Sequence, residues 1–133
     1  MTLFANLATA QPGDTVSIQL FPAGRHEGII GSDGYIISRS RRYGGVTSLP
    51  PSVFSDGKLR DNHGYIGVLS PEETVRLAED RIGETGYDVI GHNCVHFVNE
   101  VNGLALEARM SDNVQRFASI SDIVSSFNHR PLW

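Results

Sequence analysis

"RHEGIIGSDGYIISRS", residues 25–40, is the stretch whose reading decides the fold. Apolar runs flank "GSDG", and Gly31 and Gly34 can take positive φ where the chain reverses, so the stretch reads as two strands around a tight turn. His26 then opens the first strand and Ser38 falls near the end of the second. An antiparallel return carries Ser38 back to the vicinity of His26.

Upstream, "TVSIQLF" (residues 15–21) follows the turn-prone "QPGD" and alternates like a strand with one solvated face. Downstream, residues 39–64 carry paired glycines and paired prolines and read mostly as loop with short extended pieces; "GYIGVL", residues 64–69, is the next expected strand. "SPEETVRLAEDRIGETG" (residues 70–86) changes character sharply. Ser70 caps a helix, Pro71 suits its first position, and Glu73 is placed to complete a capping box. Val75, Leu77, Ala78 and Ile82 give that helix its apolar face, and Gly83 and Gly86 mark its end.

A second helix is expected after Asn93, which is a plausible N-cap and puts Cys94 in the first turn, with Phe97, Val98 and Val101 toward the core. Residues 111–133 repeat apolar side chains at helical spacing, from Val114 to Phe127, and predict a third helix. The expected class is α+β, a small antiparallel sheet packed against helices, as one domain over residues 1–133.

Composition bounds the partners. The chain has 133 residues, 40% hydrophobic and 20% charged, which is globular composition rather than that of a disordered tail. Its formal charge of −4, without a long basic run, argues against nucleic acid as partner. No window approaches 18 consecutive apolar residues, so no transmembrane segment is expected. The start lacks a basic leader, so the expected setting is cytoplasmic, with peripheral membrane contact or export without a recognisable signal kept as alternatives. Charge is uneven along the chain: residues 25–60 hold six basic and three acidic side chains, whereas residues 71–112 hold nine acidic and three basic. A solvated surface explains this simply; the functional alternative is that the "RSRR" loop steers an anionic lipid or acidic peptide to a nearby cleft.

The single cysteine, Cys94, excludes an intrachain disulfide and a zinc finger. At a helix start, unpaired backbone N–H groups favour a thiolate and can also receive an oxyanion, which is what a nucleophile needs. A base must take its proton, and five histidines are available. His96, two positions on, projects around the helix and suits a structural role. His92 precedes the cap and can approach the thiol, while His63 and His129 fall in a loop and a tail. His26 is attractive because a strand can hold its imidazole against a helix terminus. Cys94, His92 and His96 need not converge and there is no H-E-x-x-H, so neither metal nor cofactor is expected.

Taken together, "GD" before the first strand, "RHEGIIGSDGYIIS", "SPEETVRLAEDRIGETGY" and "NCVHFVNE" resemble the lecithin retinol acyltransferase-like family, from about Pro12 to Glu100. That family sits within the circularly permuted papain-like enzymes related to NlpC/P60 peptidases. The resemblance implies a permuted papain-like fold with Cys94 as nucleophile and His26 as general base. Where family members commonly carry a second histidine to orient the base, this chain has Ser38, which can hydrogen-bond an imidazole but cannot copy a histidine's charge. The residue after the base, often aromatic in the family, is Glu27, expected at the cleft mouth.

The implied chemistry is acyl transfer or hydrolysis on a lipid ester or related acyl substrate, through a thioester on Cys94. Two alternatives stand beside it: a cysteine peptidase or amidase acting on a peptide or isopeptide bond, and a degenerate papain-like scaffold that only binds a partner, with Ser38 the sign of lost catalysis. Animal members of the family often use a C-terminal membrane anchor; none is expected here, and the tail "FNHRPLW" is weak material for membrane insertion.

Overall fold

The structure, a computed structural model, describes residues 10–20, 24–88 and 93–109. Five strands form one antiparallel sheet: β1 (Thr15–Gln19), β2 (Arg25–Ile30), β3 (Ile36–Ser40), β4 (Gly45–Leu49) and β5 (Arg60–Gly64), in the order β4-β3-β2-β1-β5. The "GSDG" turn is where the sequence places it. Gly34 takes φ +84, the Gly34 N–H donates to the Gly31 carbonyl at 3.1 Å, and Ile29 and Ile30 pair with Ile37 and Ile36.

The sheet carries helices on both faces because neighbouring residues on a strand point to opposite sides. Ile29, Ile37 and Val46 face α2 (Pro71–Asp80) and α3 (Cys94–Val101), and pack with Ala78, Phe97, Val98 and Val101. Val16, Ile18, Ile30 and Ile36 face the other way and pack on Phe54 of the short helix α1 (Pro51–Ser55). Burying these aliphatic and aromatic side chains, at roughly 1.5–3 kcal/mol each, drives the sheet to hold both helical layers.

Three expectations need correction. The segment read mostly as loop contains β4, α1 and β5. Pro51 sits at the first helical position, where its missing N–H costs nothing, so the double proline starts a helix rather than preventing one. The strand expected at residues 64–69 lies earlier, at Arg60–Gly64, paired with β1. Gly64, at φ +72, ends it, and the apolar residues that follow turn onto the helices: Ile66 packs on the α2–α3 core and the Val68 N–H donates to the Asn102 carbonyl. Helix α2 stops at Asp80, which leaves Ile82 outside it and 44% exposed.

Ser70 caps α2 as expected, accepting from the Glu73 N–H at 3.1 Å. Only half of the capping box forms, because the Glu73 carboxylate pairs with Arg76. The helix expected within residues 111–133 lies outside the described residues.

Candidate active site

Asn93 starts α3. Its Oδ1 accepts from the Val95 and His96 N–H groups at 2.9 and 3.0 Å, and the Asn93 N–H approaches His96 Nδ1 at 3.5 Å, a reciprocal cap. His96 is thereby structural, with its Nε2 3.2 Å from Glu107 Oε1. Cys94 is the first residue of the helix. Its Sγ donates to the Arg25 carbonyl at 3.7 Å, so the sulfur rests on the backbone of the strand that carries His26, while the His26 ring itself points to the α1 side and stacks on Phe54.

The helix start does not make this thiol acidic. Burial, and then the negative Glu27 carboxylate, push Cys94 up to about 12. The backbone N–H groups of Glu27, Cys94 and Val95 act in the expected, opposite direction and are outweighed. The expected lowering is therefore corrected: a helix terminus contributes fractions of a charge, and full desolvation beats it.

His26 is 3% exposed, and its ring stacks on Phe54 with centroids 5.0 Å apart. Burial lowers it to about 4, so the imidazole is neutral at pH 7. Thiol and imidazole are thus both uncharged at rest, rather than a thiolate–imidazolium pair.

The ring borders a small cleft whose other walls include Ser40, Arg42, Tyr43 and Val53. Extending the Ile29–Ile37 register places Ser40 opposite His26 and Ser38 opposite Gly28. Ser38 is fully buried, and its Oγ makes no hydrogen bond among the described residues, so it does not orient the ring here.

Glu27 is not at a cleft mouth. It is fully buried and held by Arg25 at 3.2 Å and by both Arg109 guanidinium nitrogens at 3.1 Å; Arg109 in turn donates to Asn99 Oδ1. An odd-numbered residue of β2, it faces α3, whereas His26 faces α1. Tyr87 also belongs to this neighbourhood. Its phenol is pushed above its ordinary value by burial and by the charge of an ionised Cys94, while Arg41 works against the rise.

Of the "RSRR" loop, Arg39 turns inward to pair with Glu84. His63, expected in a loop, is on β5 with Nε2 2.7 Å from Ser17 Oγ. His92 and His129 lie outside the described residues. Among the described residues, no group of three or more His, Cys, Asp or Glu side chains is placed to hold a metal, and no helix is long and apolar enough to cross a membrane.

Sequence reasoning missed Glu27 and Tyr87 as neighbours of the thiol, and Arg109 as the partner that holds Glu27. Arg109 lies 82 residues from the carboxylate it grips, and no local pattern joins them.

The family model for lecithin retinol acyltransferase matches residues 54–103. The matched segment contains Cys94 with its helix, while the His26 hairpin lies before it. A search of curated proteins finds no match to the chain.

Proposed function

We propose that this chain, lecithin retinol acyltransferase-like over residues 54–103, is a cysteine-dependent acyltransferase or hydrolase of permuted papain-like fold acting on a lipid ester or related acyl substrate. The observation that carries the reading is the contact of Cys94 Sγ, at a capped helix start, with the carbonyl of the residue before His26.

The resting state shapes the mechanism. Because thiol and imidazole are both neutral, the proton leaves Cys94 only as the sulfur attacks the acyl carbonyl, and His26 accepts it as general base once its ring turns from the α1 face, where it stacks on Phe54, toward the sulfur. The new S–C bond forms as the carbonyl π bond opens, and the N-terminus of α3 favours the resulting oxyanion. Collapse expels the alcohol, which takes the proton from His26 and leaves a thioester. Water or a second acceptor then attacks the thioester, giving its proton to His26 and returning Cys94 as a thiol.

Intact mass after brief exposure to an activated acyl ester tests this reading, alongside turnover of candidate lipid and peptide substrates. The parent should gain one acyl group and Cys94→Ala none. His26→Ala should acylate far more slowly, and Ser38→Ala should match the parent if Ser38 has no orienting role. A folded Cys94→Ala variant that turns over substrate at the parent rate rules the mechanism out. Preferential turnover of peptides over esters would move the protein to the amidase reading.

One second reading has its own support. The buried, high-pKa thiol and a Ser38 hydroxyl that makes no hydrogen bond among the described residues fit a scaffold that has lost catalysis and only binds. A folded parent that never acylates selects it.

A further inference from the structure

We infer that the main-chain N–H of Glu27 is an oxyanion donor, working with the N–H of Cys94 as the sulfur attacks an acyl carbonyl. This role rests on the acyl-transfer reading of the site and adds to it a group on β2.

The start of α3 is short of donors. Asn93 Oδ1 accepts the N–H groups of Val95 and His96 at 2.9 and 3.0 Å, so two of the first three N–H groups of the helix are spent on its cap. The Cys94 N–H is left for the oxyanion, and a second donor has to come from outside the helix.

The strand β2 supplies it. Its even-numbered side turns toward β1: the Ile30 N–H donates to the Asp14 carbonyl, the Ile30 carbonyl accepts from Gly13, and the Gly24 carbonyl accepts from Leu20. Alternate residues of an antiparallel strand face the other neighbour, so Arg25, Glu27 and Ile29 direct their main-chain groups toward β3. Among the described residues, β3 pairs with β2 at Ile29–Ile37 and Ile30–Ile36 and no further, although it continues to Ser40 in full register with β4. Cys94 stands at the opening this leaves. Its Sγ donates to the Arg25 carbonyl, and the next main-chain group on that edge is the Glu27 N–H, which hydrogen-bonds the sulfur.

The oxyanion forms beside the attacking sulfur. As the S–C bond forms, the carbonyl π electrons pass to oxygen and the thiol proton passes to His26. On collapse the electrons return, the C–O bond to the alcohol breaks, and the alcohol leaves with that proton. A donor already aimed at the sulfur needs no reorganisation to meet the new charge. The side chain of Glu27 holds the donor in place. Its buried carboxylate opposes ionisation of the thiol, but Arg25 at 3.2 Å and Arg109 through two contacts of 3.1 Å clamp it and fix the main chain of β2 beside Cys94.

Replacing the amide between His26 and Glu27 by an ester in the full chain deletes this N–H and keeps the carboxylate. An ester between Gly28 and Ile29, which deletes an N–H of the β2–β3 ladder, controls for the loss of a strand hydrogen bond, and circular dichroism verifies both folds. Single-turnover acylation by p-nitrophenyl butyrate, followed by intact mass, should be about 100-fold slower with the Glu27 ester than with the control. Alkylation by iodoacetamide forms no oxyanion and should slow by less than about ten-fold. On the parent itself, a trifluoromethyl ketone that adds to the thiol forms a tetrahedral oxyanion, and the Glu27 amide proton should then move downfield in the NMR spectrum.

An adduct that leaves that proton unmoved overturns the inference, as does equal slowing of acylation and alkylation, which assigns the N–H to the sulfur alone. A parent that p-nitrophenyl butyrate does not acylate removes the acyl-transfer reading and the oxyanion role together. A parent that is acylated, with the two ester variants alike, removes the oxyanion role and leaves that reading standing.

Discussion

Arg109 grips Glu27 through two N–H···O contacts of 3.1 Å each, tying the segment after α3 to the middle of β2. The carboxylate is fully buried, and the alternative to pairing is a desolvated charge.

Arg109→Ala is therefore expected to destabilise the protein by about 2–4 kcal/mol, less than a fully orphaned carboxylate because Arg25 remains on Glu27. Urea unfolding measures this as a lower midpoint. A midpoint within error of the parent would show that the pair contributes nothing.

Cys94 should be a slow thiol. With its pKa pushed up to about 12, the thiolate fraction at pH 8 is roughly 100- to 1000-fold below that of an ordinary cysteine, so iodoacetamide should alkylate the native protein that much more slowly than the urea-unfolded chain. Glu27→Gln removes the negative neighbour and should speed native alkylation. Equal rates in native and unfolded protein would mean that the thiol is not desolvated.

His26 should make stability depend on pH. Its folded value, about 4, lies below the unfolded 6.5, so between these the unfolded chain binds more protons. Stability is full above pH 6.5 and falls as pH drops toward 4, by about 3 kcal/mol from this group. His26→Phe keeps the stack on Phe54 and should flatten that part of the profile. Parallel profiles for variant and parent between pH 4 and 6.5 would contradict the buried neutral imidazole.

Gly28→Ala should disturb the cleft. An added Cβ would stand 3.0 Å from the Ile37 carbonyl and 3.1 Å from the Phe54 ring on which His26 stacks. The expected cost is about 1–3 kcal/mol, read by thermal unfolding, with loss of any His26-dependent acylation. Unchanged stability would show that α1 yields freely.

Local chemistry explains what was legible in the sequence. Ser70 and Asn93 cap their helices through contacts two or three residues away, and "GSDG" carries its own turn, so all three could be read without the rest of the chain. The position of β5 could not be read this way, because β1 selects it by pairing and its residues, Arg-Asp-Asn-His-Gly, have little hydrophobic signature. The face taken by His26 was hidden for a different reason. Residues 26–30 of β2 are all buried, so polarity does not alternate along them, and which side chains meet α1 and which meet α3 is set by packing alone.

The two outer strands also bear on how the protein behaves in a crowded solution. The free edge of a sheet is a template on which a second chain can add a strand, the first step toward amyloid-like growth. At β4 part of that template is taken by backbone: the Val46 N–H donates to the Glu84 carbonyl, the Val46 carbonyl accepts from the Gly83 N–H, and Gly45 bridges Thr85. At β5 the defence is side-chain polarity, since a strand laid along Arg60, Asp61, Asn62 and His63 would have to strip water from charges and offer them no apolar contact. Among the described residues, one edge is thus partly closed by the chain itself and the other guarded by its charges, which limits strand addition along the sheet.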